Sequence, residues 1–364
     1  MKKKMLYIMH IDWNWIKQRP QFLAEELSQY YDITVAYTYG YHRKLIKQSN
    51  QFDGFKKLIP LYRLPFAKLR NSFLGTLIDN YLLKLQFKFI GQDFNYIWLT
   101  SPTYIDVINN QFKNSKIIYD CMDDNVGIKD ENARKKTIEK EVRLLQKANI
   151  VFVSSIKLQE IIKHRGYKGN CYLLNNGVSD KLLEKKIKNN QINNSNNSKK
   201  LNFLYIGTIA YWFDFEKVIR LLNEVKNITV TLVGPCEIEI PYHSKLIYKG
   251  IIPHAELPKF VANYDALILP FVVNELILSV DPVKVYEYIS FGKNIIAVYY
   301  PELDKFKDFV HFYKTYDELK IQVEKLISNN RLIYTEERAE EFLKSNTWNI
   351  RSKSVFTILE NSDE

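Results

Sequence analysis

The feature that most constrains the fold is an alternation of short apolar runs with helical patterns along the chain. Runs such as Met5–Ile11 and Ile150–Ser154 have the length of buried strands, whereas Arg134–Lys147 carries its apolar residues at helical spacing. Strands that alternate with helices are typical of βαβ units and parallel sheets. The sequence therefore predicts an α/β fold.

The predicted elements form two sets. The strand-like runs are Met5–Ile11, Ile33–Tyr37, Tyr96–Thr100, Lys116–Tyr119, Ile150–Ser154 and Cys171–Leu174, then Leu201–Ile206, Thr229–Val233, Leu246–Tyr248, Ala266–Leu269 and Ile295–Val298. The helical segments are Pro20–Tyr30, Phe73–Ile90, Tyr104–Gln111, Arg134–Lys147 and Lys157–Arg165, then Phe215–Val225, Leu257–Ala262, Val283–Ser290, Tyr316–Ser328, Thr335–Lys344 and Trp348–Glu360.

Chain length and one polar tract predict two domains. At 364 residues the chain exceeds one ordinary hydrophobic core. Residues 189–198 read N-N-Q-I-N-N-S-N-N-S, a composition that cannot bury a core. The predicted parts are a Rossmann-like domain over 1–181, an Asn-rich linker over 182–200, a second Rossmann-like domain over 201–346 and a terminal helix over 347–364.

The net charge of +11 is partly local. Eight basic residues lie between Arg43 and Arg70 against one acid, Asp53, and apolar residues are interleaved with them. This mixture suits the surface of an anionic membrane, and it equally suits a solvated loop and helix. Nucleic acid is not an expected partner, because no recognition motif accompanies the charge.

Cysteine usage and hydropathy indicate the compartment. The three cysteines are far apart and show no C-x-x-C spacing, so neither a disulfide framework nor a zinc site is expected. No run of 18 apolar residues occurs, so no membrane-spanning helix is expected. We expect a cytoplasmic protein. If the basic stretch binds lipid, we expect peripheral contact at the inner face of the cell membrane.

The segment from Asp281 to Ala297 carries the most chemistry. Pro282 suits the first turn of a helix and Gly292 suits its end. A helix N-terminus with Lys284 in its first turn is a candidate phosphate site. Glu287, one turn further along, could accept two hydrogen bonds from a ribose diol. An ordinary amphipathic helix with a surface lysine and glutamate explains the same pattern.

This segment resembles the donor-binding helix of GT-B glycosyltransferases of the large retaining family 4, "P-x-K-x-x-E-Y-x-x-x-G-K-P-V-x". Further stretches resemble the family's motifs in the same order. They are Leu174–Val178 ("N-G-V-D"), Tyr205–Thr208 (the glycine loop), Leu232–Pro235 ("h-x-G-x-G"), Tyr248–Pro258 (the nucleotide-base loop), Asn263–Pro270 ("a-D-v-x-l-x-P") and Trp348.

The resemblance implies two Rossmann-like domains that face across a cleft and a terminal helix that crosses back to the first domain. It also implies a nucleotide diphosphate sugar, UDP-linked by expectation, as co-substrate rather than a bound cofactor. The implied donor-binding residues are Gly207, Thr208, Gly234, Pro235, Ile252, Pro253, Ser279, Val280, Asp281, Pro282, Val283, Lys284 and Glu287.

The first domain resembles a subgroup that includes teichuronic-acid and other surface-polysaccharide glycosyltransferases. His10–Ala24 contains its "W-x-x-x-x-x-R-P-Q-x-L-A", and Tyr119–Asp124 matches "Y-D-x-x-D-D". The tryptophans either stack on sugar rings or belong to the core and a lid, and the first alternative is favoured. The implied acceptor-side residues are Asp12, Trp13, Trp15, Arg19, Asp123 and Asp124.

Three departures from the family pattern affect the expected site. The first acid of the family's E-x7-E pair falls on Ser279, and Glu275 or Asp281 could replace it. The basic residues that usually follow the glycine loop are missing, and Lys284 and Arg19 are the candidates to supply their charge. The family's catalytic-region histidine aligns with Asp120. The predicted catalytic residues are therefore Asp120, Lys284 and Arg19.

The expected function is transfer of a sugar to a cell-surface polysaccharide or lipid-linked glycan, without a metal and with retention. No metal is expected, because no histidine–acid cluster or suitable D-x-D occurs and adjacent Asp123 and Asp124 would point to opposite sides. A sugar-nucleotide epimerase of the same fold and a non-catalytic nucleotide-sugar-binding protein remain alternatives. Turnover of donor would distinguish an enzyme from a binding protein.

Overall fold

The computed structural model describes residues 2–41, 52, 54–66, 69–70, 72–108, 111–128, 130–184 and 200–362. The chain divides into two compact units. The first comprises Met1–Asn175 together with Trp348–Glu364, and the second comprises Asn176–Thr347. Most of the predicted linker, residues 185–199, lies outside the described residues.

The first unit is built on a parallel sheet of seven strands in the order β3-β2-β1-β4-β5-β6-β7. Its elements are β1 (Lys4–Met9), α1 (Arg19–Leu27), β2 (Asp32–Thr38), β3 (Lys57–Leu61), α2 (Phe73–Ile90), β4 (Tyr96–Leu99), α3 (Ile105–Ile108), β5 (Lys116–Cys121), α4 (Glu131–Leu145), β6 (Ile150–Val153), α5 (Ile156–His164) and β7 (Asn170–Leu173).

The second unit repeats this plan with six parallel strands in the order β10-β9-β8-β11-β12-β13. Its elements are α6 (Asp180–Glu184), β8 (Leu201–Ile206), α7 (Phe215–Glu224), β9 (Ile228–Val233), β10 (Leu246–Tyr248), α8 (Leu257–Val261), β11 (Ala266–Leu269), α9 (Glu275–Leu278), α10 (Val283–Ser290), β12 (Asn294–Val298), β13 (His311–Tyr313), α11 (Tyr316–Ser328) and α12 (Glu336–Lys344).

The last helix, α13 (Trp348–Asn361), belongs to the first unit. Its Trp348 ring stacks on Phe22 of α1, with ring centroids 5.4 Å apart. Phe356 stacks on Tyr30 at 4.6 Å. Offset aromatic pairs of this kind add specificity to apolar burial, so α1 provides the surface that holds the end of the chain.

The boundary between the units falls at Asn175 and Asn176, before the predicted end of the first domain at residue 181. Contacts explain the difference. The backbone N–H of Asn176 donates to the Asp281 carboxylate at 2.6 Å, and the N–H of Val178 donates to the Asn346 carbonyl at 2.9 Å. Both bonds attach the segment after Asn175 to the second unit.

The alternating pattern predicts most of these elements but misses the edge strands β3 and β13 and the short helices α6 and α9. The predicted α/β fold with parallel sheets is confirmed. The stretch from Arg43 to Arg70 was expected to be loop and helix, but it contains strand β3. Strand β13 is short and was also missed. Arg43, Lys44, Lys47, Asp53 and Lys68 lie outside the described residues.

Candidate functional site

The order of the second sheet determines where a ligand can bind. The chain runs from β8 outward to β10 and then returns to β11 on the other side of β8. In open parallel sheets, ligands bind outside the carboxyl ends of the strands at this reversal. The loops after β8, β9 and β11 are therefore the ones to consider, and they contain most of the donor-binding residues that the sequence predicts.

The first two of these loops touch through their glycines. Gly234, which follows β9, has a φ of +136°, and a β-carbon there would lie 2.0 Å from the Gly207 carbonyl oxygen. Gly207 in turn donates its N–H to the Val233 carbonyl at 2.9 Å. Only glycine satisfies both the backbone angle and the contact. The two turns thus bring backbone close together at the sheet edge, with Gly207 half-buried and Gly234 buried.

Helix α10 is fixed to the same edge by Tyr288. Its buried hydroxyl accepts from the Ile206 N–H at 2.7 Å and lies 3.2 Å from the Ile206 carbonyl oxygen. Ile206 is the last residue of β8 and precedes Gly207. The helix is therefore held at the carboxyl end of β8, where the loop that begins at Gly207 starts.

The N-terminal end of α10 is suited to an anion. Its N-cap is Pro282, no side chain caps its first turn, and no acidic residue lies in that turn. At the other end, Gly292 has a φ of +62°, as predicted for a glycine that follows a helix. The amide groups and dipole at a helix start attract phosphate. These features agree with the phosphate-site interpretation of this helix.

Three polar side chains form a cluster on α10 and the loop after β10. The Lys284 ammonium donates to Glu287 Oε2 at 2.7 Å, and His254 Nε2 lies 3.1 Å from Glu287 Oε1. Burial raises the pKa of Glu287, but Lys284 and His254 outweigh it and lower that pKa to about 2. The carboxylate is therefore charged at neutral pH, and each oxygen retains a lone pair for a hydroxyl donor.

The segment before α10 is fixed by Asp281. Its carboxylate accepts from the Asn176 N–H at 2.6 Å and from Lys305 Nζ at 3.0 Å, and its carbonyl accepts from the Asn176 side-chain amide. Ser279 is buried and donates its hydroxyl to the Leu276 carbonyl at 2.7 Å. Asp281 and Ser279 thus shape the loop, and the charge of Asp281 is neutralised by Lys305.

The other predicted donor-binding residues lie around this edge. Thr208 O accepts from the Tyr205 hydroxyl at 2.8 Å, and Pro235 O accepts from the Ile209 N–H at 2.8 Å. The half-buried members of the predicted set are Gly207, Thr208, Pro235, Ile252, Pro253, Val280, Val283 and Lys284. Partial exposure is what side chains and backbone need in order to contact a ligand.

In the first unit, Arg19 and Asp120 form a buried pair. The Arg19 guanidinium donates to Asp120 Oδ1 at 2.7 Å and to the Leu174 carbonyl at 2.8 Å, and the two side chains are 3% and 0% exposed. These contacts assign both residues a structural role. The catalytic roles that the sequence predicts for them would require this pair to open.

The segment after β1 is mostly interior. The carboxylate of Asp12 accepts from the N–H groups of Asn14 at 2.9 Å and Gly40 at 2.8 Å. Trp13 is 1% exposed and packs edge-on against Phe55, with ring centroids 5.1 Å apart. The favoured sugar-stacking role therefore does not fit Trp13, which is a core residue. Trp15 is half-buried, and its role remains a prediction.

The adjacent acids after β5 point to opposite sides, as predicted. Asp123 is exposed, whereas Asp124 is buried and accepts from Arg165 Nη2 at 2.6 Å. Arg165 also pairs with the buried Glu141, which accepts from the Tyr119 hydroxyl at 2.5 Å. Asp124 is therefore held inside a buried network, and Asp123 alone is available to solvent.

Sequence reasoning missed several residues of these arrangements. His254 lies within the stretch that resembles the base loop, but its contact with Glu287 spans 33 residues and has no local signature. Tyr288 and Arg165 were also missed, since a buried hydroxyl or guanidinium is recognisable only once its partner is known. Within the described part of the chain, no group of three or more histidine, cysteine or acidic residues could hold a metal.

Known proteins resemble this chain in sequence and in fold. No protein-family model matches the chain. The chain is 22% identical over 281 residues to the predicted teichuronic acid biosynthesis glycosyltransferase TuaH of Bacillus subtilis (strain 168), a match that covers 71% of this chain and 70% of that protein.

Two solved structures superpose over almost the whole chain. Anabaena HepE in complex with UDP and glucose has a TM-score of 0.72 at 14% identity and covers 99% of this chain and 100% of that one. A trehalose-6-phosphate structure from E. coli bound with UDP-2-fluoro glucose has a TM-score of 0.71 at 10% identity and covers 98% and 99%. The chain has the GT-B fold that the sequence resemblance implied.

Proposed function

We propose that the chain is a glycosyltransferase that moves a sugar from a UDP-sugar to a cell-surface polysaccharide or lipid-linked glycan. One observation carries the proposal. Helix α10, with an uncapped start, Lys284 in its first turn and Glu287 held by His254, is hydrogen-bonded through Tyr288 to Ile206, the residue before the Gly207 turn that touches Gly234. This combination offers amide donors and a cation for a diphosphate and a carboxylate for a ribose.

The chemistry of transfer explains why such groups are needed. As the bond between the sugar and the diphosphate breaks, negative charge grows on the leaving phosphate and positive charge grows at the sugar carbon. Donors that are already oriented toward the phosphate stabilise this charge without reorganising. The α10 amides and the Lys284 ammonium would bind the diphosphate, and Glu287 would accept hydrogen bonds from the ribose hydroxyls.

Lys284 is placed to change partners during binding. Its ammonium has three donors, and the hydrogen bond to Glu287 uses one of them. The side chain is 29% exposed, whereas Glu287 is 4% exposed. The lysine can therefore turn toward a diphosphate while Glu287 stays in position, because His254 contacts the other oxygen of its carboxylate.

The choice of UDP and of the acceptor class is supported by the comparisons. Two of the superposed structures contain UDP or a UDP-sugar analogue, and the name of TuaH refers to a glycosyltransferase of teichuronic acid biosynthesis. We propose that the reaction needs no metal, because α10 and Lys284 supply the positive charge that a cation would otherwise provide. We also propose that it retains the anomeric configuration, as the family resemblance implies.

We further propose that the chain acts in the cytoplasm, with peripheral contact at the inner face of the cell membrane. A lipid-linked glycan acceptor would be presented at that surface. In the described ranges, no helix is both long enough and apolar enough to cross a bilayer.

Screening a panel of UDP-, GDP- and dTDP-sugars tests the proposal. A bound donor raises thermal stability by mass action, and we expect the largest increase in melting temperature with a UDP-sugar. We also expect slow release of free UDP in the presence of chelator. Stabilisation without any release would favour the binding-protein alternative, and conversion of the sugar without release of UDP would favour the epimerase. No stabilisation by any donor would contradict the proposal.

A further inference from the structure

Helix α2 exposes an unusually large apolar face. Phe89 is 88% exposed and Phe73 is 79% exposed, values more typical of polar side chains. The complete exposed apolar set on this helix is Phe73, Leu74, Leu77, Ile78, Tyr81, Leu82, Leu85 and Phe89. At about 100° per residue, these positions cover roughly half of the helix circumference in one continuous band. Soluble monomers seldom expose a contiguous apolar patch of this extent.

The buried side of the same helix is accounted for by the first unit. Leu83, Phe87 and Ile90 pack into its core. Asp79 is also buried and forms an ion pair with Arg63, with Nη2 and Oδ2 2.6 Å apart. The exposed band is therefore a second apolar surface, and the core of the first unit does not require it.

The exposed charged residues of α2 itself are all positive. Lys84 and Lys88 are exposed and lie within the angular range of the band, whereas the one acid of the helix, Asp79, is buried. Long lysine side chains can lie along an apolar surface while their ammonium groups reach anions beyond it.

The segment that leads into α2 also exposes apolar side chains, and part of it is hydrogen-bonded to the helix. Gln86 accepts from the Tyr62 N–H and donates to the Tyr62 carbonyl, both at 2.8 Å. Asp79 accepts from the Leu64 N–H at 2.8 Å. Tyr62, Phe66 and Leu69 are all exposed apolar residues of this segment. The surface is thus a fixed feature of the fold.

We infer that the exposed face of α2 docks on an anionic lipid bilayer and lies in the plane of its interface. The helix has 18 residues and does not meet the length and hydropathy that a spanning helix needs, so its apolar band would enter only the outer part of the leaflet. The long side chains of Lys84 and Lys88, which lie within the band, would reach the phosphate groups of the lipids. The inference deepens the proposed function, because a chain docked on the bilayer would meet a lipid-linked glycan acceptor there. It rests on the proposed function for the identity of that acceptor.

Charge favours the bilayer over a second copy of this chain as the occupant. Two copies that packed their α2 faces together would bring Lys84 and Lys88 of each close to the same lysines of the other, with no exposed acid on the helix to compensate. Like charges brought together in this way oppose association. An anionic leaflet supplies the opposite charge.

Co-sedimentation with lipid vesicles tests the inference. Wild-type protein should pellet with phosphatidylglycerol–phosphatidylcholine vesicles and much less with phosphatidylcholine alone. The double variant Leu74→Ser/Phe89→Ser should bind at least about tenfold more weakly, because it removes the apolar contribution. Lys84→Gln/Lys88→Gln should bind the anionic vesicles at least about tenfold more weakly than wild type does, and its binding to phosphatidylcholine vesicles should not change. Tyr242→Ser is the matched control, since this ring is 96% exposed in the second unit.

The inference is overturned if wild-type protein stays in the supernatant or if Leu74→Ser/Phe89→Ser pellets as well as wild type. It is also overturned if analytical ultracentrifugation shows that wild type is a dimer and Leu74→Ser/Phe89→Ser is a monomer, and neither protein binds vesicles. Release of UDP from a UDP-sugar, measured without lipid, separates this result from the proposed function. We expect wild type and Leu74→Ser/Phe89→Ser to release UDP equally. If neither releases UDP but wild type still binds the vesicles, the transferase activity is contradicted and the docking surface is not.

Discussion

Replacing Glu287 by alanine is expected to abolish the thermal stabilisation that a UDP-sugar gives to the wild-type chain. Its carboxylate is buried and charged, and it faces Lys284 and His254. Loss of two hydrogen bonds from a ribose diol to a charged group removes about 3–6 kcal/mol of binding free energy, or at least about a hundredfold in affinity. Thermal-shift titration with the preferred donor measures this loss directly.

The conservative variant Glu287→Gln makes this test more specific. It keeps the shape of the side chain and one acceptor oxygen but removes the negative charge, so we expect affinity between those of wild type and Glu287→Ala. Glu324→Ala, an exposed change on α11 of the same unit, is the control and should leave the donor response intact. Equal donor responses in wild type and Glu287→Ala would remove Glu287 from the site.

Replacing Asp120 by alanine is expected to be among the most destabilising single changes in the first unit. It would leave the Arg19 guanidinium buried without its carboxylate, and breaking a buried ion pair in this way costs about 3–5 kcal/mol. The paired change Arg19→Met/Asp120→Leu removes both charges and should recover much of that loss. Urea denaturation gives the free energies of unfolding for all three variants.

This comparison also separates structure from catalysis. If Arg19 and Asp120 serve only to hold α1 against β5, the paired variant should regain both stability and donor turnover. Restored stability with no turnover would instead support the catalytic roles that the sequence predicts for these residues. Lys157→Ala is the control, because it opens an exposed ion pair with Glu160 and should change stability little. A stable Asp120→Ala variant would contradict the structural interpretation.

Much of the fold could be predicted from the sequence because its signals are local. Helix α10 was predicted with its observed bounds, since Pro282 and Gly292 mark its two ends. The parallel sheets follow from the regular alternation of apolar runs and helical segments. Strand β3 was missed because exposed lysine and leucine at a sheet edge resemble an amphipathic loop.

The site was less predictable, because its contacts join distant parts of the chain. The Arg19–Asp120 pair spans 101 residues, and nothing near either residue indicates that they meet. Burial of Trp13 depends on Phe55, which approaches it only in the folded unit. Helix α2 carries apolar residues on its buried side as well as in its exposed band, so the sequence could predict the helix but could not tell which face the first unit leaves uncovered.

A crystal structure with UDP tests the central claim most directly. We predict a diphosphate within hydrogen-bonding distance of the first-turn amides of α10 and of Lys284 Nζ, with the ribose hydroxyls on Glu287. UDP bound at another place in the second unit, with the first turn of α10 left in contact only with protein or solvent, would contradict the account.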